Sequence, residues 1–144
     1  MTSDDLLHGT LEGRTPTTVP GATTVRTDEL VKLLADRNPL VIDTMWHSWY
    51  LSLPGAIGLN NSDVGGDLHD PTQKRLERKM HELTGGDLTR PLVAVGFNSE
   101  NFGGRNLALR LLALGYTNVF WYRGGREAWE VAGLPETEVR PADW

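Results

Sequence analysis

Two short runs of this 144-residue chain are apolar without interruption, and they constrain its fold more than anything else in it. Leu40-Val41-Ile42 ends at Asp43, and Leu92-Val93-Ala94-Val95 ends at Gly96. A strand with one wet face alternates apolar and polar residues. A strand that does not alternate is buried on both faces, the condition of parallel strands covered by helices. Helical patterns separate these runs. Thr27 can cap a helix over Asp28–Asp36 striped by Leu30, Val31, Leu33 and Leu34 and stopped at Asn38-Pro39. Leu76, Met80 and Leu83 stripe a second helix from about Thr72 to Leu83, which Gly85-Gly86 ends. Arg105–Leu114 reads as a third, closed by Gly115, and Arg126–Val131 as a short fourth before Gly133. Thr23-Thr24-Val25, Ala56–Leu59 and Val119–Tyr122 supply further strands. The alternation predicts an α/β domain with a mostly parallel sheet. Residues 1–21 carry Gly9, Gly13, Pro16 and Pro20 with little apolar pattern, and read as a loosely packed, irregular arm before a domain over 22–144.

Composition narrows the function. A formal charge of −5 argues against nucleic acid or an anionic membrane as the main partner. No apolar run approaches the roughly 20 residues needed to span a bilayer. The polar, acidic start Met1-Thr2-Ser3-Asp4-Asp5 lacks the basic onset of a secretory signal, so a cytoplasmic protein is expected. There is no cysteine. That removes disulfides, thiolate metal sites and every cysteine nucleophile.

In parallel sheets ligands bind beyond the carboxyl ends of the strands. Here those ends are Asp43 with 44–53 and Gly96 with 97–104. The loop Phe97-Asn98-Ser99-Glu100-Asn101-Phe102-Gly103-Gly104 runs into a helix, whose first N–H groups could cradle an anionic or polar ligand, with Arg105 adding charge. Equally, Ser99 or Asn101 could simply cap the helix. Glu100 is a candidate proton-transfer group if Phe97, Phe102 or Trp46 shields it, and a solvated loop residue otherwise. Asp43 sits at a strand end beside this site. The segment Thr44-Met45-Trp46-His47-Ser48-Trp49-Tyr50 suggests an apolar wall for a small organic ligand, with His47 able to titrate near neutrality. Asp63, Asp67, His69 and Asp70 match no metal-ligand spacing and read as a solvated turn. Ser99 as a nucleophile would need His47 as its base, and Gly-x-Ser-x-Gly is absent.

Six pieces in order resemble the signatures of rhodanese-like domains: Val41-Ile42-Asp43, Leu53-Pro54-Gly55-Ala56, Pro91–Val95, Ala113-Leu114-Gly115-Tyr116-Thr117-Asn118-Val119, Gly124-Gly125-Arg126-Glu127-Ala128-Trp129 and Ala132-Gly133-Leu134-Pro135. Pro20-Gly21-Ala22 and Thr84-Gly85-Gly86-Asp87 also resemble a cysteine-pair subgroup found with quinone-cofactor-dependent catabolism. The resemblance implies a five-stranded parallel sheet flanked by helices, with the active loop after the fourth strand. It also implies a persulfide-bearing cysteine near Asn98, or nearer Gly96 or Phe97, and a second near Asn101. None is a thiol. Thr44-Met45 stand where an arginine often follows Asp43, and Leu51-Ser52 replace a Gly-His pair. An amide or a phenyl ring cannot carry sulfane sulfur, so sulfur transfer and cysteine-phosphatase chemistry are excluded.

The sequence therefore predicts a domain that binds a small polar or anionic organic ligand without a cofactor or metal. Glu100 and His47 are its candidate acid–base groups. Asp43, Trp46, Phe97, Asn98, Ser99, Asn101, Phe102 and Arg105 are its candidate binders. The alternative is a non-catalytic regulatory or interaction module, with a homodimer or partner protein open.

Overall fold

Nonalternating apolar runs find their place at the centre of a sheet. The computed structural model describes residues 5–44 and 46–144, so Met45 and the first four residues lie outside it. Five strands run parallel: β1 (Thr23–Val25), β2 (Leu40–Asp43), β4 (Ile57–Gly58), β5 (Leu92–Val95) and β6 (Val119–Tyr122). Their order is β1-β6-β5-β2-β4. The two uninterrupted runs pair in register, Leu40 with Leu92 through Asp43 with Val95.

Successive strand residues point to opposite faces, and each face has its own core. Ile42, Leu92, Ala94, Val119 and Trp121 pack against Leu76 and Met80 of helix α2 (Pro71–Thr84) and Leu107 and Leu111 of α3 (Gly103–Ala113). Val41, Val93, Val95 and Tyr122 pack against Leu30 and Leu33 of α1 (Thr27–Arg37) and Trp129 of α4 (Gly125–Val131). Fully burying one such aliphatic side chain contributes about 1.5–3 kcal/mol. Sheet direction and helix placement are thus one consequence of the pattern: parallel strands need crossover helices, and the helices cover both faces.

The helix ends have local causes. The Asp70 carboxylate accepts from the Gln73 N–H at 2.8 Å, Pro71 opens α2, and Gly85 closes it with φ +65°. At α1 the capping residue is Arg26 rather than Thr27: the Arg26 N–H donates to Glu29 Oε1 at 2.8 Å, and Thr27 is already helical. Val31, expected in the buried stripe, is exposed.

Two features depart from the sequence reading. Residues 50–52 are a strand, β3 (Tyr50–Ser52), pairing antiparallel with β7 (Thr137–Val139) in a separate two-stranded sheet. The amino-terminal arm is not loosely packed: Leu6, Leu11 and Val19 are buried. No helix among the described residues is long and apolar enough to cross a membrane.

Candidate functional site

Asp43 ends β2 in the middle of the sheet, where no water reaches it. Its carboxylate accepts from Tyr50 Oη at 2.9 Å, from Ser52 Oγ and from the Arg126 guanidinium. Burial pushes the Asp43 carboxyl upward, against the pull of Arg126 and the two hydroxyls. Burial and the neighbouring Asp43 carboxylate both push the Tyr50 phenol far up, so it remains a donor. Asp43 therefore organises its surroundings: it ties the 44–52 segment to α4 and fixes Arg126. The guanidinium lies 4.2 Å from the centre of the Tyr50 ring and 5.7 Å from that of Phe97.

Arg126 is held from below by its own backbone. The Arg126 and Glu127 N–H groups donate to the Gly96 and Phe97 carbonyls at 3.0 and 2.9 Å. Gly125 makes this approach possible: its φ is +65°, and a Cβ there would lie 2.5 Å from the Gly96 carbonyl oxygen.

Above this buried base lies a cleft of about 530 Å³. One wall is Trp46, His47, Trp49 and Tyr50; Phe97 and Asn101 come from the loop after β5. Glu127 and Glu130 of α4, Glu136 beyond it and Glu12 of the arm form the acidic rim. Trp46, Trp49 and Phe97 keep 54%, 51% and 50% of their surface exposed. Trp46 is oriented by its Nε1–H, which donates to Asp63 at 3.1 Å. Asp63 is buried, and burial pushes its carboxyl upward.

In the loop after β5, four successive amides are bonded within the protein. The N-cap of α3 is Phe102, without a side-chain cap, rather than Ser99 or Asn101; the Asn101 side chain, one residue earlier, accepts from the Gly103 N–H at 2.8 Å. The Asn98 side chain accepts from the Glu100 N–H at 3.0 Å, and the Asn98 carbonyl from the Asn101 N–H at 3.2 Å. The arm takes the rest: the Phe102 N–H donates to the Leu11 carbonyl and the Gly13 N–H to the Glu100 carbonyl, both at 2.7 Å, and the Thr15 hydroxyl donates to the Ser99 carbonyl. Arg123 clamps this strap through Thr15 and Pro16. The N–H groups of residues 100–103 all have acceptors inside the protein.

The structure thus brings Trp46, His47, Phe97 and Asn101 to one cleft, with Asp43 beneath it. Other anticipated residues lie elsewhere. Asn98 is not in the cleft lining but donates to Glu127 Oε2 of its rim at 3.0 Å. Ser99 borders a separate depression with Thr17, Thr24 and Tyr122. Glu100 is exposed and outside the cleft lining. Phe102 is buried, facing the Arg105 guanidinium at 5.5 Å. Arg105 is fully buried and donates to the Asp5 carbonyl and the Asn106 side chain, binding the arm. Asp70 also has a structural partner, the fully buried Arg110, at 3.1 Å. Arg126 was not singled out from the sequence. The signal was there: an arginine after two glycines that follow a strand end sits at a helix start facing the ligand edge of the sheet.

Residues 26–132 match the family model described as the rhodanese-like domain. No curated protein sequence matches the chain. Among solved structures, the fold is similar to thiosulfate sulfurtransferase from Pseudomonas aeruginosa, with TM-score 0.56 and 19% identity over 85% of this chain. The chain spans only 22% of that protein's length. It is similar to the polysulfide-sulfur transferase homodimer from Wolinella succinogenes, with TM-score 0.54, 17% identity and coverage of 83% of this chain and 80% of that one. The human single-domain sulfurtransferase aligns with TM-score 0.52 and 20% identity, over 76% of this chain and 96% of that one. A five-stranded parallel sheet in the implied order of elements and a family match over most of the sequence agree, and the chain belongs to the rhodanese-like domain family, without a cysteine anywhere in its sequence.

Proposed function

We propose that this chain is a rhodanese-like domain whose former sulfur-transfer site serves as a binding cleft for a small organic molecule. One observation carries the reading. A cleft of about 530 Å³, walled by half-exposed aromatic rings, opens at the carboxyl ends of β2 and β5 in a chain without a thiol. Ligand sites are typically concave, apolar and roughly 300–1,000 Å³ in volume. The buried Asp43–Arg126–Tyr50–Ser52 network beneath it supplies a preformed base, so little ordering is required on binding.

Binding is better supported than acid–base catalysis. Of the two proton-transfer candidates, His47 lines the cleft and Glu100 does not. The finer likeness, to cysteine-pair members found with quinone-cofactor-dependent catabolism, is supported by Pro20-Gly21-Ala22 and Thr84–Asp87, while Asn98 and Asn101 near the two cysteine positions depart from it.

The test is a fragment screen read by amide chemical shifts on the isotope-labelled chain. Fragments should perturb residues 46–51 and 126–136 together. Fragments that perturb neither, or only a different surface, overturn the reading.

A further inference from the structure

We propose that the cleft takes a small organic cation: a protonated or quaternary amine on an apolar body about the size of one ring. This rests on the cleft being a ligand site, and it names the class of ligand.

Charge is the first argument. Four glutamates line the cleft, Glu12, Glu127, Glu130 and Glu136. Its arginine, Arg126, is committed to Asp43, so that charge is answered inside the wall. What remains is negative. An entering anion would meet carboxylates, and the amides of residues 100–103 are bonded to the loop and the arm. The anion anticipated from the loop sequence is therefore disfavoured by the lining that surrounds it.

The rings are the second argument. Tyr50 and Phe97 already hold one cation, the Arg126 guanidinium, against their faces. Trp46 and Trp49 extend the same wall outward, half exposed, and tryptophan attracts cations most strongly of the aromatic side chains. Among the described residues no group of acids and imidazoles gathers closely enough to hold a metal ion. The carboxylates are spread around an aromatic hollow, which suits a diffuse organic charge and gives an inorganic cation no chelate.

The experiment titrates the full chain with three probes of one shape and different charge: phenethylammonium, phenethyl alcohol and phenylacetate, read by calorimetry and tryptophan fluorescence. The ammonium should bind roughly tenfold tighter than the alcohol, and phenylacetate weakest. Added salt should erode the ammonium's advantage and leave the alcohol unchanged. The double variant Glu130→Gln/Glu136→Gln should weaken the ammonium about threefold or more and leave the alcohol alone. Trp49→Leu should weaken the ammonium and the alcohol. Equal affinity for the alcohol and the ammonium, or tighter phenylacetate, overturns the cation assignment while the cleft remains a ligand site. Absence of ammonium binding, or binding that Trp49→Leu leaves intact, also overturns it, and the fragment screen then decides the broader reading separately.

Discussion

Asp43 carries more of the site than any other residue, through one charge. It satisfies two hydroxyls and pairs with Arg126, whose side chain is only 16% exposed. Asp43→Asn keeps the shape and removes the counter-charge, leaving a mostly buried guanidinium unanswered. A loss of about 3 kcal/mol is expected, read as a lower urea midpoint at unchanged slope. Asp63 makes a different prediction. Its ordinary value is 3.8, and burial raises it in the folded chain. Above 3.8 the folded chain keeps a proton that the unfolded chain has lost. Its contribution to stability is therefore complete below 3.8 and is lost as pH rises through the folded value. Relative to Asp63→Asn, the natural protein should become steadily less stable from acid towards neutral pH. A constant difference between the two unfolding curves would refute this. Asp70 has the opposite sign. Burial pushes it up, but the Arg110 guanidinium and the Gln73 N–H outweigh burial and hold it below 3.8, so its contribution is lost as pH falls.

At the scale of elements, buried arginine is what joins α3 to the rest. Arg110 donates to the Val64 carbonyl at 2.7 Å, to Gln73 Oε1 at 3.1 Å and to Asp70, fastening both the 60–70 loop and the start of α2. Asp70 thus has two duties, and two variants separate them. Asp70→Asn keeps a good helix cap and loses the ion pair; Asp70→Ala loses both. The alanine variant should be less stable by about a further 1 kcal/mol in thermal or urea unfolding. Gly125→Ala tests the seating of α4. It adds left-handed backbone strain and a Cβ against the Gly96 carbonyl. It should cost roughly 2 kcal/mol or more and should disturb the Arg126 side-chain signals in a spectrum of the folded fraction. Much of this level was legible in the sequence. The runs at 40–43 and 92–95 gave central strands because nonalternating apolar residues have no other home, and the Leu76, Met80 and Leu83 stripe with Gly85-Gly86 marked α2, whose Asp70 cap was read only as part of a solvated turn. The β3–β7 pair was not legible. Each strand is three residues long, and their pairing joins segments from opposite ends of the domain, so no local period announces it.

At the scale of the whole molecule the prediction is chemical. Thiosulfate treatment should leave the intact mass unchanged, and no cyanide-dependent thiocyanate should form, because no side chain can hold sulfane sulfur. Restoring a thiol should not restore turnover. Phe97→Cys would present an exposed, maleimide-reactive sulfur, yet the amides of residues 100–103 are already bonded within the protein; a thiocyanate rate above buffer would contradict this. The same bonds explain which parts of the site the sequence could reveal. The aromatic wall was visible as a dense run at 46–50. The fate of the loop was not, since Arg105, Phe102 and Ser99 are claimed by an arm some ninety residues away, and arginine so seldom lies fully buried that a ligand role looked natural. The acidic rim was hidden for a similar reason, being assembled from Glu12, α4 and Glu136.

That strap also has a consequence in time. Its bonds close long loops: Thr15 meets Ser99 across 84 positions, and Leu7 meets Asn106 across 99. Such contacts are slow to form, because their closure entropy is spent before they return any stabilisation. On a ribosome the arm emerges before its partners, which follow on the order of ten seconds later. Until α3 has left the exit tunnel, Leu6, Leu11 and Val19 have no groove to enter, and Glu12 has no rim to join. The arm is thus made well before it can find its place, and a chain stalled before residue 106 lacks the Asn106 side chain that accepts from the Leu7 N–H.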